Sequence, residues 1–329
     1  MSLKIFKAGV LDTIQDMGRY GYQHLGINPG GAMDKFSAQV ANILVGNSIH
    51  EAVIELHFPA SIFIFQEPSL IALSGADFLA SINGELIPFL HPVLVNKGAI
   101  LQFHRVQKGT RAYLSVYGGF KIPEWFGSYS TNLKAAAGGF YGRALKKDDE
   151  ISFNTFDHLT ALLNEKEFYI LPWKADDNWG DITVEEILVW PGNEWGRLTE
   201  ESNENVVMTS FVITGQSDRM GYRLNNIPLH AITNEEVISA AVSFGTIQLL
   251  PDGRLIILMA DHQTTGGYPR IAHVIAAHHS KLAQMKPGNK IYFKLTSHET
   301  AEELFIKQQQ HLLQLQNACT FKLENFFKT

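Results

Sequence analysis

Short runs of β-branched and aromatic residues recur along the chain. Ser61-Ile62-Phe63-Ile64-Phe65, Ala112-Tyr113-Leu114-Ser115-Val116-Tyr117, Ile187-Leu188-Val189-Trp190 and Lys290-Ile291-Tyr292-Phe293 are each bounded by Gly, Pro or Asn. That composition and punctuation predict strands. Three segments read as helical instead. Asp34 stands where an N-cap belongs, ahead of Phe36, Val40, Ile43 and Leu44 on one helical face. A second helix is expected over about 270–284. The third is the carboxyl-terminal tail, where Thr296 and Glu299 form a capping-box pattern before a polar helix ending near Gln316.

The pattern also repeats. Ile54, Ile64 and Asp77 match Ile238, Gln248 and Asp261 at an offset of 184, and Gly98 and Phe103 match Gly288 and Phe293 at an offset of 190. Upstream, Arg19-Tyr20-Gly21-Tyr22 matches Arg219-Met220-Gly221-Tyr222 at an offset of 200. A duplicated β unit accounts for these matches. The expected division is a first β unit over 1–165, a second over 166–298, and a helical tail over 299–329.

Composition narrows the class. A chain of 329 residues with 45% hydrophobic content can bury large cores. Its net charge of -6 is interspersed, with no continuous cationic stripe, which argues against a nucleic-acid partner. The longest uninterrupted apolar stretch, 255–260, is far short of the roughly 20 residues of a membrane span. Lys4, Lys7, Asp12 and Asp16 interrupt the amino-terminal region, so no secretory signal is read there. The one cysteine, Cys319, cannot close an internal disulfide, and a reducing cytoplasmic interior is expected.

Candidate chemistry concentrates in two segments. Gln216-Ser217-Asp218-Arg219-Met220-Gly221-Tyr222-Arg223 packs an acid, two guanidinium groups and a phenol around a turn-permitting glycine. Arg219 or Arg223 can fork onto a carboxylate, and Asp218 can orient an arginine or accept an amide proton. A surface Asp–Arg pair in a turn is the plainer reading. Asp261-His262-Gln263-Thr264-Thr265-Gly266-Gly267-Tyr268-Pro269 follows a wholly apolar strand, and its paired glycines admit a nest of N–H groups for an anion or oxyanion. A glycine-rich approach to the Asp34 helix, Asn28-Pro29-Gly30-Gly31, lacks the Lys-Ser or Lys-Thr of a phosphate loop. Gly-x-Ser-x-Gly is absent, and His262, His273, His278 and His279 match no recognised metal-ligand pattern.

In this order the segments resemble the KipA family, also called the allophanate hydrolase subunit 2 or carboxyltransferase-like family, which includes the C subunit of ATP-dependent 5-oxoprolinase. The resemblance rests on Thr13-Ile14-Gln15-Asp16-Met17-Gly18-Arg19, Gly31-Ala32-Met33-Asp34, Ala41-Asn42-Ile43-Leu44-Val45-Gly46-Asn47 and Gly127-Ser128-Tyr129-Ser130-Thr131. It continues through Ser217-Asp218-Arg219-Met220-Gly221-Tyr222-Arg223-Leu224, and through Gly245-Thr246-Ile247-Gln248 into Thr264-Thr265-Gly266-Gly267-Tyr268-Pro269. The tail from about Glu299 lies outside it.

The resemblance implies a mainly β fold of two related cyclophilin-like β-barrel units with a few short helices. It implies a KipI-like (5-oxoprolinase B) partner and an A-type subunit, acting together in ATP-dependent opening of the 5-oxoproline lactam to glutamate. Asp218, Arg219, Arg223, Thr265, Gly266 and Gly267 are the expected catalytic residues. Arg19, Asn28, Asp34, Tyr222, Gln248, Gln263, Thr264 and Tyr268 are the expected substrate contacts. No metal is expected, and ATP is expected to be used by the complex without binding to this chain alone. Two readings compete with this one: a biotin-dependent carboxyltransferase half, and a non-catalytic antagonist of a KipI-like protein. The sequence departs from the family pattern at Tyr117, where relatives commonly carry Arg, and at His278 or His279, where many carry Asp.

Overall fold

The computed structural model describes residues 2–154, 163, 166–176, 185–233 and 237–328. The chain divides into two compact units. One comprises Met1–Arg19, Asp34–Trp179 and Gln309–Thr329, and the other Tyr20–Met33 and Gly180–Gln308. The boundary expected at 165–166 adjoins residues outside the described ones. Leu312, Cys319 and Leu323 of the tail helix are buried in a core of the first unit.

In the first unit, strands form two six-stranded sheets. Strand Ile62–Phe65 shows why: Phe63 and Phe65 point into the core while Ile62 and Ile64 are half-buried, the period-two split of a pleated strand. Leu3, Ile5, Phe63, Phe65 and Leu101 of one sheet share a core with Ile54, Leu56, Ile71, Leu73 and Leu114 of the other. The opposite face of the second sheet, with Leu70, Ala72 and Leu94, packs under helix α1 (Lys35–Leu44) and the tail helix. A sheet covered on both faces explains the near-continuous apolar run of strand Ser69–Asp77. The mainly β architecture expected is present, here as two sheets that share one core.

Helix α1 buries Phe36, Val40, Ile43 and Leu44 as its spacing predicts. Asp34 caps it: Oδ1 accepts from the Ser37 N–H at 2.9 Å and Oδ2 from the Ser37 hydroxyl at 2.6 Å. Its own N–H donates to the Tyr113 hydroxyl at 2.8 Å. Asp34→Ala should lower unfolding stability by about 1–2 kcal/mol, while Asp34→Asn should retain most of it. Equilibrium denaturation of the two variants checks this.

The second unit is a closed seven-stranded barrel, in the order Glu186–Pro191, Arg270–Val274, Thr246–Leu249, Leu255–Leu258, Gly221–Asn225, Phe211–Ile213 and Lys290–Leu295. Ile187, Phe211, Tyr222, Ile247, Ile257, Ile271 and Phe293 belong to one buried cluster, so its interior is a packed core.

Two helix expectations change, and one helix was not expected. The segment 270–284 is not one helix: Arg270–Val274 is a strand pairing with Thr246–Leu249 and with Glu186–Pro191, followed by a 3-10 turn and helix α3 (His279–Ala283). Between them, helix α2 (Glu200–Met208) escaped the sequence reading because only Ser202 and Val206 are buried. Thr199 caps it, accepting from the Ser202 N–H at 3.2 Å. The tail helix, α4 (His298–Lys328), starts after Ser297, whose hydroxyl accepts from the Thr300 N–H at 3.2 Å. It runs past Gln316 because no Gly or Pro stops it and Cys319 and Leu323 continue its buried face.

The offsets that suggested duplication align strands with unlike neighbours. Ile62–Phe65 and Ser69–Asp77 lie in different sheets, whereas Thr246–Leu249 and Leu255–Leu258 pair directly.

His278 accepts a hydrogen bond from the Leu188 N–H at 3.0 Å on Nδ1, so the ring is neutral in the fold. Burial first, and the Lys281 charge second, push its pKa down to about 4. A depressed base contributes stability that is complete above its unfolded value near 6.5 and is lost as pH falls toward 4. Urea midpoints should therefore drop over that interval. In His278→Gln the drop should be smaller.

Candidate functional site

The alternation of the barrel strands sets up a cleft on the outer wall. Tyr222 lies opposite Ile257, and Ile257 opposite Ile247; all three are buried in the barrel core. The neighbouring row points the other way: Arg223 is opposite Ile256, Ile256 opposite Gln248, and Gln248 opposite Arg270. Arg223, Ile256 and Gln248, with Leu258 and Gly221 one step along, line a cleft of about 430 Å3. The 250–252 turn, the Asp218–Met220 turn and the side chains of Gln263 and Tyr268 complete it.

Polar groups in the cleft, and Arg270 opposite Gln248 outside it, differ in how far they are committed. Arg270 is held by Glu194, Nη2 to Oε1 at 2.8 Å and Nε to Oε2 at 3.0 Å. That contact draws the Glu194 carboxyl below its usual range. Asp252 is engaged by Arg254, which lowers its pKa in the same way. Asp218 Oδ1 accepts from the Met220 and Gly221 N–H groups at 2.8 and 3.2 Å, fixing the turn. The guanidinium of Arg223 pairs with no described residue and stands exposed at the cleft. Gln248 is 1% exposed; its Nε2 donates to the Tyr268 carbonyl at 3.4 Å, and its Oε1 is buried with no partner among the described residues.

Five of the expected site residues thus meet: Asp218, Arg223, Gln248, Gln263 and Tyr268. The others go elsewhere. Arg219 is buried and forks onto Asp261, Nε to Oδ2 at 2.9 Å and Nη2 to Oδ1 at 3.1 Å, while Nη2 also donates to the Gly31 carbonyl at 2.6 Å. Its charge is spent on the protein's own carboxylate. Tyr222 donates inside the barrel to the Met285 carbonyl at 3.2 Å. Asn28 lies in the Tyr20–Met33 segment of the second unit and does not line the cleft. Asp34 caps α1.

Arg19 belongs to the first unit. There it lies over the Trp125 ring at 4.6 Å and donates to the Ser130 carbonyl. Neighbouring Asp16 accepts from Gly18, Ser128, Tyr129 and Ser130, a fully hydrogen-bonded structural carboxylate.

The glycine loop is a ribbon. Thr265 and Gly266 pair with Ala241 and Ala240, and the Thr264 carbonyl accepts from the Val242 N–H at 3.2 Å. Neither Gly266 nor Gly267 has a positive φ, so the alternating backbone of a nest is not formed. Gly266 serves space instead: a Cβ there would stand 2.5 Å from Gln248 Nε2.

The cleft floor was invisible in the sequence. Leu255-Ile256-Ile257-Leu258 is apolar at every position, so its outward half, Ile256 and Leu258, carries no polar mark. The adjacent strand did carry one, in the alternation of Tyr222, Arg223 and Leu224. Among the described residues, no group of three or more His, Cys, Asp or Glu is placed to hold a metal, and no helix is long and apolar enough to cross a membrane.

The protein is mainly β, and its packed barrel bears an outer cleft lined by one guanidinium that pairs with no described residue and by two carboxamides. The model of the carboxyltransferase domain, subdomain A and B, matches residues 25–295, and the chain belongs to that family. It is 35% identical over 303 residues to the 5-oxoprolinase C subunit of Haemophilus influenzae, covering 92% of this chain and 94% of that protein. Identity to the 5-oxoprolinase C subunit of Escherichia coli is 34% over 313 residues, 95% and 97% of the two chains. Urea carboxylase of Kluyveromyces lactis superposes with a TM-score of 0.83 at 28% identity over 95% of this chain, which spans only 29% of that one.

Proposed function

We propose that this chain is the C-type subunit of a 5-oxoprolinase-like complex and that its outer cleft holds 5-oxoproline while the lactam is opened to glutamate. The observation that carries this reading is the pairing, in one cleft, of an uncommitted guanidinium with amide-matching carboxamides over an apolar floor. Arg223 forks onto the substrate carboxylate, and Ile256 and Leu258 take the ring methylenes. Asp218 Oδ2, which accepts from no described residue, is the acceptor left for a proton. Identity to the C subunits of two bacterial 5-oxoprolinases over nearly their whole length supports the assignment.

The nucleotide used by such a complex belongs elsewhere. One guanidinium flanked by the carboxylates Asp218 and Asp252 is a poor electrostatic match for a triphosphate. A KipI-like B subunit and an A-type subunit supply the remainder of the reaction in the cytoplasm.

Co-expression of the three chains should release glutamate from 5-oxoproline and ATP, and omission of this chain should abolish that release. A full complex that yields no glutamate would refute the proposal. The likeness to urea carboxylase favours a second reading, carboxyl transfer to a ureido amide, because an amide-matching cleft also suits urea. That reading predicts a biotinylated partner on an avidin blot, and carboxylation of urea in place of lactam opening.

A further inference from the structure

We propose that Gln248 is the specificity-determining acceptor of the cleft: its side-chain carbonyl accepts the substrate's amide N–H, so the site selects lactams over rings that lack that proton. The inference rests on the cleft being the 5-oxoproline site and names the group that reads the amide.

The chain has built Gln248 for this. It lies on the outward row of the barrel between Ile256 and Arg270, yet is 1% exposed. Its orientation is set, because Nε2 donates to the Tyr268 carbonyl at 3.4 Å and a flipped amide would bring two carbonyl oxygens together. Oε1 is left buried, without a partner among the described residues, in a side chain that lines the cleft. A buried acceptor with no donor is destabilising, and a ligand N–H in the cleft that meets Oε1 after a small rotation of the carboxamide relieves the deficit. A ring oxygen or an N-alkyl group does not. Gly266 is the positioning residue, since any Cβ at that position would meet Nε2 at 2.5 Å and displace the carboxamide.

The test compares two rings on the full-length protein by calorimetric titration: 5-oxoproline, and the lactone in which ring oxygen replaces N–H. Wild-type protein should bind the lactam about tenfold or more tighter than the lactone. In Gln248→Met the two affinities should converge, through loss of lactam binding with lactone binding retained. Gly266→Ala should narrow the gap in the same direction, a change of ratio that general loosening of the barrel does not produce. Equal affinities in the wild type, or a preference that survives in Gln248→Met, would overturn the role of Gln248 and leave the cleft assignment standing. Failure of both rings to bind would overturn the cleft assignment and this inference together.

Discussion

Arg219→Met is expected to destabilise the protein by about 3–5 kcal/mol, the cost of leaving a desolvated carboxylate without its partner. The Arg219 and Asp261 side chains are only 7% and 14% exposed, and the pair is bidentate. The backbone repeats the link, with the Asp261 N–H donating to the Arg219 carbonyl at 2.8 Å. Solvent-exposed pairs contribute about 0.2–1 kcal/mol, so the magnitude separates the two cases. Adding Asp261→Leu should restore part of the loss, because the unpaired charge is then gone. Urea denaturation of both variants measures it, and a loss below about 1 kcal/mol for Arg219→Met would show that the pair behaves as an exposed one.

The second large effect falls on activity. Arg223→Ala should lower kcat/KM of the reconstituted complex for 5-oxoproline about 30-fold, equivalent to about 2 kcal/mol for a hydrogen bond to a charged group. Stability should stay within about 0.5 kcal/mol of wild type, because the side chain is exposed and bonds to no described residue. Arg223→Lys keeps the charge but loses the fork, and should fall between the two. Unchanged kinetics in Arg223→Ala, with glutamate still released, would remove Arg223 from the site.

The contrast between these arginines shows what the sequence could and could not disclose. Arg219 and Arg223 sit four positions apart in one motif and look equivalent there. The turn built by Asp218 separates them, sending Arg219 into the barrel wall toward Asp261 and leaving Arg223 on the outward row. The Asp34 cap was legible because helix capping is a local, three-residue contact. Strands with clear alternation were legible for the same reason. Arg270–Val274 read as helix because its partners, Thr246–Leu249 and Glu186–Pro191, lie far away in sequence. The Gly266-Gly267 pair signalled a special backbone, but its purpose is room for the Gln248 carboxamide, eighteen positions upstream in a strand whose neighbours only the fold brings together. At Tyr117, the departure from arginine has a packing counterpart. Its ring sits 6.1 Å from that of Phe327 in α4, the helix that extends beyond the matched family region.

Methyl-labelled NMR during a 5-oxoproline titration tests the outer-wall cleft most directly, because the barrel strands place isoleucines on both of its faces. Ile256 and Leu258 line the cleft, while Ile247 and Ile257 lie inside the core. Saturable shifts at Ile256 and Leu258, with Ile247 and Ile257 far less affected, are the expected result. Saturable shifts confined to other parts of the protein, with Ile256 and Leu258 unmoved, would contradict it.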